Sequence, residues 1–158
     1  MSDEDFVELC KNGTVQEIRS ELLKGANPNA KNDNGVTALM LAAGNNFNSE
    51  VLSLLLKAGA DVNAKNQWGG TALMEVVRFN PPVVVSILLK AGADVNAKNN
   101  SGGTTLMAAA AKNKDPEVIS LLLEAGANVN AKSMYDKTAL IEAASRNWHV
   151  PLVRGTGT

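Results

Sequence analysis

Apolar positions in this chain come in short helical bursts, separated by polar stretches that repeat almost unchanged. In Pro116-Glu117-Val118-Ile119-Ser120-Leu121-Leu122-Leu123, the residues Val118, Leu121 and Leu122 stand at i, i+3 and i+4 and share one face of a helix. Pro116 suits the first turn, where its missing N–H is no loss, and Glu117 lies near the positive end of the helix dipole. Gly126 follows the burst and can take the left-handed conformation that ends a helix. Gly25, Gly59 and Gly92 hold the same place after the earlier bursts. A second kind of short helix is predicted to start near Thr37, Thr71, Thr104 and Thr138, whose hydroxyls can accept from an orphan N–H. Ala42-Ala43, Ala109-Ala110 and Ala143-Ala144 let these helices approach closely, and Val76-Val77 in the same place predicts slightly wider packing.

The pattern is periodic. The phrase Leu55-Leu56-Lys57-Ala58-Gly59-Ala60-Asp61-Val62-Asn63-Ala64-Lys65-Asn66 returns unchanged at 88–99 and nearly unchanged at 122–133. A weaker copy, with one residue deleted before its glycine, runs from Leu22 to Asn32. A second phrase, Thr37-Ala38-Leu39-Met40, keeps the same step at 71–74, 104–107 and 138–141. Two independent phrases sharing one period of 33 to 34 residues mark a repeat architecture. One such unit is too small to bury its own apolar face, so stability has to come from stacking neighbours into a continuous core.

These residues resemble the ankyrin-repeat family. Its pattern is a Gly-containing turn, Thr-Pro-Leu-His, a short helix ending in Ala-Ala, a loop, a second helix ending in three leucines, and Gly-Ala-Asp-Val-Asn. This chain carries Gly35-Val36-Thr37-Ala38-Leu39, Ala42-Ala43, Leu54-Leu55-Leu56 and Gly59-Ala60-Asp61-Val62-Asn63, with Ala or Thr in place of the Pro and Met or Ile in place of the His. The resemblance implies an all-α solenoid of stacked helix-turn-helix pairs with projecting β-turn or hairpin loops. It covers about five repeats: 1–33 as an N-terminal cap, 34–67, 68–100, 101–134 and an incomplete 135–154. They form a single domain, 1–154, and residues 155–158 read as a flexible tail or a cloning remnant. In register, Leu152-Val153-Arg154 only opens a second helix, so that end is expected to fray or find a partner. Phe47 and Trp148 occupy equivalent loop positions and are expected to cover the lower edge of the solenoid. The resemblance also implies that Asn29, Asn63, Asn96 and Asn130 tie adjacent turns together by hydrogen bonds.

Composition narrows the function. Hydrophobic residues make up 45 % of the chain but aromatics only 4 %, so the core is built from Ala, Leu, Val, Ile and Met. The net charge of −1 and pI of about 5.8 carry no basic excess of the kind that nucleic acid or a membrane surface attracts. The acidic start, Met1-Ser2-Asp3-Glu4-Asp5, is unlike a signal peptide, no apolar run reaches membrane-spanning length, and Cys10 stands alone, all of which points to the cytoplasm. Chemistry-bearing motifs are broken. Residues 59–66 match a phosphate loop only at the first Gly and the Lys; Asp61-Val62-Asn63 begins like a calcium loop, but Lys65 stands where an oxygen ligand is needed. His149 is the only histidine, which excludes a histidine cluster for metal, and Cys10 aligns with the small residues that end a first helix, as a packed side chain would. No cofactor is expected and no catalytic activity.

Comparing one repeat with the next separates a constant frame from variable positions. Variation gathers at the turn tips and along the first helices, which in ankyrin proteins line the concave groove. The contact residues expected there are Asp33, Asn34, Trp68, Glu75, Arg78, Phe79, Lys112, Met134, Tyr135 and Arg146. Trp68 and Tyr135 weigh most, because an aromatic at an exposed tip has little core to join and Trp, Tyr and Arg are the usual interface anchors. The charge along these positions is mixed, which favours a protein or peptide over nucleic acid. The expected function is therefore a protein–protein interaction module, either a consensus-like engineered scaffold or a targeting fragment of a larger bacterial effector or enzyme. It is expected to be monomeric, with weak self-association through its uncapped C-terminal end.

Overall fold

The computed structural model describes residues 1–45, 49–79 and 81–146; the edge-covering roles expected of Phe47 and Trp148 and the helix opening expected at 152–154 fall outside the described residues. Within them the chain is all-α. The helices are α1 (Asp3–Asn12), α2 (Val15–Leu23), α3 (Ala38–Asn45), α4 (Ser49–Lys57), α5 (Ala72–Val76), α6 (Pro82–Lys90), α7 (Thr105–Lys112), α8 (Pro116–Glu124) and α9 (Ala139–Arg146). The odd-numbered helices pack on one another in succession, α1 on α3, α3 on α5, α5 on α7 and α7 on α9. The even-numbered helices form a second layer, α2 on α4, α4 on α6 and α6 on α8, and α1 meets α2, α3 meets α4, α5 meets α6 and α7 meets α8. The result is a stack in which every pair touches mainly its neighbours.

Local chemistry fixes both ends of these helices. Ser2 and Thr14 cap α1 and α2 in reciprocal capping boxes with Asp5 and Glu17. The hydroxyl and backbone N–H of Ser2 hold the Asp5 carboxyl below its ordinary range, and the backbone N–H and hydroxyl of Thr14 do the same to Glu17. The hydroxyls of Thr37, Thr71, Thr104 and Thr138 accept from the N–H of Met40, Met74, Met107 and Ile141 at 3.2, 3.3, 3.4 and 3.4 Å. At the other end, the glycines after α2, α4, α6 and α8 have φ between +87° and +96°. The next N–H then turns back to the helix, as in Ala60 N–H donating to the Leu55 carbonyl at 3.0 Å.

Neighbouring pairs are laced together by asparagine. The Asn29 amide donates to the Gly59 carbonyl at 3.0 Å while its oxygen accepts from Asp61 N–H at 2.7 Å. Asn63 bridges Gly92 and Asp94 in the same way, and Asn96 bridges Gly126 and Asn128. For Asn130 no such bridge to a later turn is present among the described residues.

The core runs the length of the stack, through Phe6, Ile18, Leu39, Leu52, Leu55, Leu73, Val85, Leu88, Leu106 and Leu122. Each fully buried Leu, Ile or Phe side chain contributes about 1.5–3 kcal/mol. Cys10 belongs to this core, and burial pushes its thiol up to about 12, so it is a packed, unreactive sulfur. The leucine of the Thr-Ala-Leu-Met phrase shows where burial comes from. Leu39, Leu73 and Leu106 are buried, whereas Leu140 is 78 % exposed. The first three lie on helices that pack against the first helix of the next repeat, and among the described residues no helix follows α9.

Candidate partner-binding groove

Four hairpins project from the stack, at residues 32–36, 66–70, 99–103 and 133–137. In the first three the side-chain oxygen of Asn32, Asn66 or Asn99 accepts from two backbone N–H groups of its own turn, at 2.8–3.1 Å. A glycine at φ of about +70° completes each: Gly35, Gly69 and Gly102. The fourth hairpin is built differently. Its turn N–H groups, those of Tyr135 and Lys137, reach a serine hydroxyl, Ser133, at 3.3 Å, and Asp136 takes the left-handed position at φ +55°. A backbone rail joins the tips: Gln67 N–H to Asn34 O at 3.1 Å, Asn100 N–H to Trp68 O at 2.9 Å, and Met134 N–H to Ser101 O at 2.9 Å.

This rail sets Asn34, Trp68, Ser101 and Tyr135 at one position of successive tips. Trp68 is 55 % exposed and Tyr135 77 %. Between them repeat four carries small side chains at the matching positions, Ser101 at the tip and Ala108 and Ala111 on α7, so a slot opens there. The groove has a volume of about 550 Å³, with Trp68, Glu75 and Arg78 on one side, Tyr135, Lys137 and Glu142 on the other, and Met74 and Met107 in the buried floor. Its charge is largely paired: Arg78 with Glu75 at 3.6 Å and Lys137 with Glu142 at 3.3 Å. Lys112, exposed at the end of α7, has no carboxylate within ion-pair distance among the described residues.

Of the expected contact residues, Trp68, Glu75, Arg78, Lys112 and Tyr135 line this one groove. Asp33 and Asn34 sit one hairpin away, where the Asn34 side chain accepts from Gln67 Nε2 at 3.0 Å. Phe79 lies exposed beyond α5 with the Arg78 guanidinium 5.6 Å from its ring centre, and Met134 is an exposed tip residue outside the groove lining. Arg146 ends α9, and its side chain lies outside the described residues. Comparison between repeats passes over Met74 and Met107 because they belong to the constant phrase, and over Ala111 because a small residue gives no positive sign of a cavity.

Among the described residues no group of three or more His, Cys, Asp or Glu could hold a metal ion, and no helix is long and apolar enough to cross a membrane. A family model for ankyrin repeats (3 copies) matches residues 6–99, and one for ankyrin repeats (many copies) matches residues 88–143. No individual curated protein matches the chain.

Proposed function

The chain belongs to the ankyrin-repeat family, a general protein–protein interaction module, and on that premise we propose that it is a non-enzymatic binder that takes a protein or peptide into the groove of repeats three to five. The observation that carries this reading is the slot between Trp68 and Tyr135: two exposed aromatics held on a backbone rail over a methionine floor. Exposed aromatics that flank an apolar slot lose water-accessible area only when something enters, which is how interface anchors supply affinity. The unreactive Cys10 suits a reducing cytoplasm, and the identity of residues 55–66 with 88–99 fits a chain made by copying one repeat, as in a consensus-like scaffold.

The test is affinity capture from lysate with the purified chain beside a Trp68→Ala/Tyr135→Ala double variant of matching melting curve. A protein retained by the parent and lost by the variant is the expected result. A retained protein indifferent to both aromatics would move the function off this groove.

Leu140 and Ile141, exposed on α9, support a second and weaker contact, in which two copies associate through that end. Sedimentation velocity over a dilution series is expected to show a monomer that gains mass at the highest concentrations. A monomer at every concentration overturns that contact.

A further inference from the structure

We infer that the groove selects an acidic peptide segment, one that places a large apolar side chain in the repeat-four slot and an Asp or Glu carboxylate against Lys112. The inference rests on the binding reading above and adds the chemistry of the partner. The slot exists because repeat four has Ser101, Ala108 and Ala111 where its neighbours have larger groups, and its floor of Met74 and Met107 adapts its shape to an inserted side chain. That fixes the anchor as apolar and large.

The charge of the lining fixes the rest. Three cationic and two acidic side chains face the groove, and both carboxylates are engaged by Arg78 and Lys137. Lys112 alone is left to be neutralised from outside, and the groove is therefore positive within a chain whose net charge is −1. A ligand carboxylate beside the apolar anchor satisfies it. A basic ligand would bring its charge to Lys112 and would have to break one of the two ion pairs to reach a carboxylate. Lys112 also closes the last turn of α7, where a cation is favoured by the helix dipole. Its charge therefore suits the free protein and needs no intramolecular partner to be retained.

A display library of random linear peptides, selected on the full chain, tests this directly. The expected consensus pairs a large apolar or aromatic residue with a nearby Asp or Glu. A synthetic peptide of that consensus should lose about tenfold in affinity on Lys112→Glu, and exchanging its acidic residue for Lys should restore binding to that variant. Lys112→Gln, with less effect on the helix end, should give a smaller loss in the same direction.

A basic consensus, a consensus without an acidic residue, or affinity unchanged in Lys112→Glu each overturns the inference. If such peptides still lose binding to Trp68→Ala/Tyr135→Ala, the groove reading stands and only the acidic specificity fails. If they bind both variants as well as the parent, the groove reading fails with it. A selection that enriches nothing overturns the peptide specificity, while lysate capture still decides the groove.

Discussion

Gly69→Ala is expected to lower stability by about 2–4 kcal/mol, one of the largest losses a single methyl group could cause in this chain. Two costs combine. At φ +74° an alanine pays the left-handed penalty of about 1–2 kcal/mol. The added Cβ would also stand 2.6 Å from Asn100 Oδ1, 2.8 Å from Asn100 N and 3.0 Å from Asn99 Cα, inside the neighbouring hairpin. Much of that neighbour is backbone and cannot swing aside, so the Asn100 N–H bond to Trp68 O has to lengthen or break. Gly59→Ala supplies the control. It pays a similar conformational cost at φ +94°, but its Cβ meets nothing within 4 Å, so about 1–2 kcal/mol is expected. Urea melts of both variants separate the terms. Equal losses would mean that the tips do not press on one another as described.

Thr105→Val is expected to stabilise the chain by about 1–3 kcal/mol. Thr105 opens α7 fully buried, and its hydroxyl has no hydrogen-bond partner among the described residues. A buried polar group left unsatisfied costs its full desolvation, whereas an apolar group of the same shape costs nothing on that account. Valine keeps the branched outline and replaces the hydroxyl by a methyl group. The other repeats have Ala38, Ala72 and Ala139 here, so nothing in the repeat frame requires a hydroxyl. Thr105→Ala removes the same penalty but also a buried methyl group, and should gain less. In a chain of this size the valine variant should melt a few degrees higher, at about 2–4 °C per kcal/mol. A lower melting temperature would show that the hydroxyl has a partner, such as an ordered water.

The fold was legible because its determinants repeat. The cap threonines, the terminal glycines and the bridging asparagines each recur at one period, so a weak local preference seen four times becomes a strong one. The asparagines were placed by family resemblance; Asn29, Asn63 and Asn96 bridge as implied, and no such bridge from Asn130 falls among the described residues. Less was legible at the tips. Asn32, Asn66 and Asn99 sit in the same phrase as the bridging asparagines, and only the three-dimensional fold separates a side chain that folds its own turn from one that reaches the next repeat. The groove was half legible. Its aromatic and charged walls vary between repeats and stand out, as at Trp68, Glu75, Lys112 and Tyr135. Its hollow comes from what repeat four omits, and an alanine such as Ala111 reads alike whether it packs tightly or borders open space.

The two sides of that hollow are not mounted equally. Trp68 rides on a hairpin closed by an asparagine amide at 2.9–3.0 Å and a glycine at ease in its conformation. Tyr135 rides on one closed by a single serine hydroxyl at 3.3 Å and an aspartate in a conformation it tolerates less well. On the proposed binding reading, the groove resembles a vice whose tryptophan jaw is the more firmly held of the two. A ligand would be positioned against the tryptophan and accommodated by the tyrosine, so its tolerance for partners of different girth resides in a single loop.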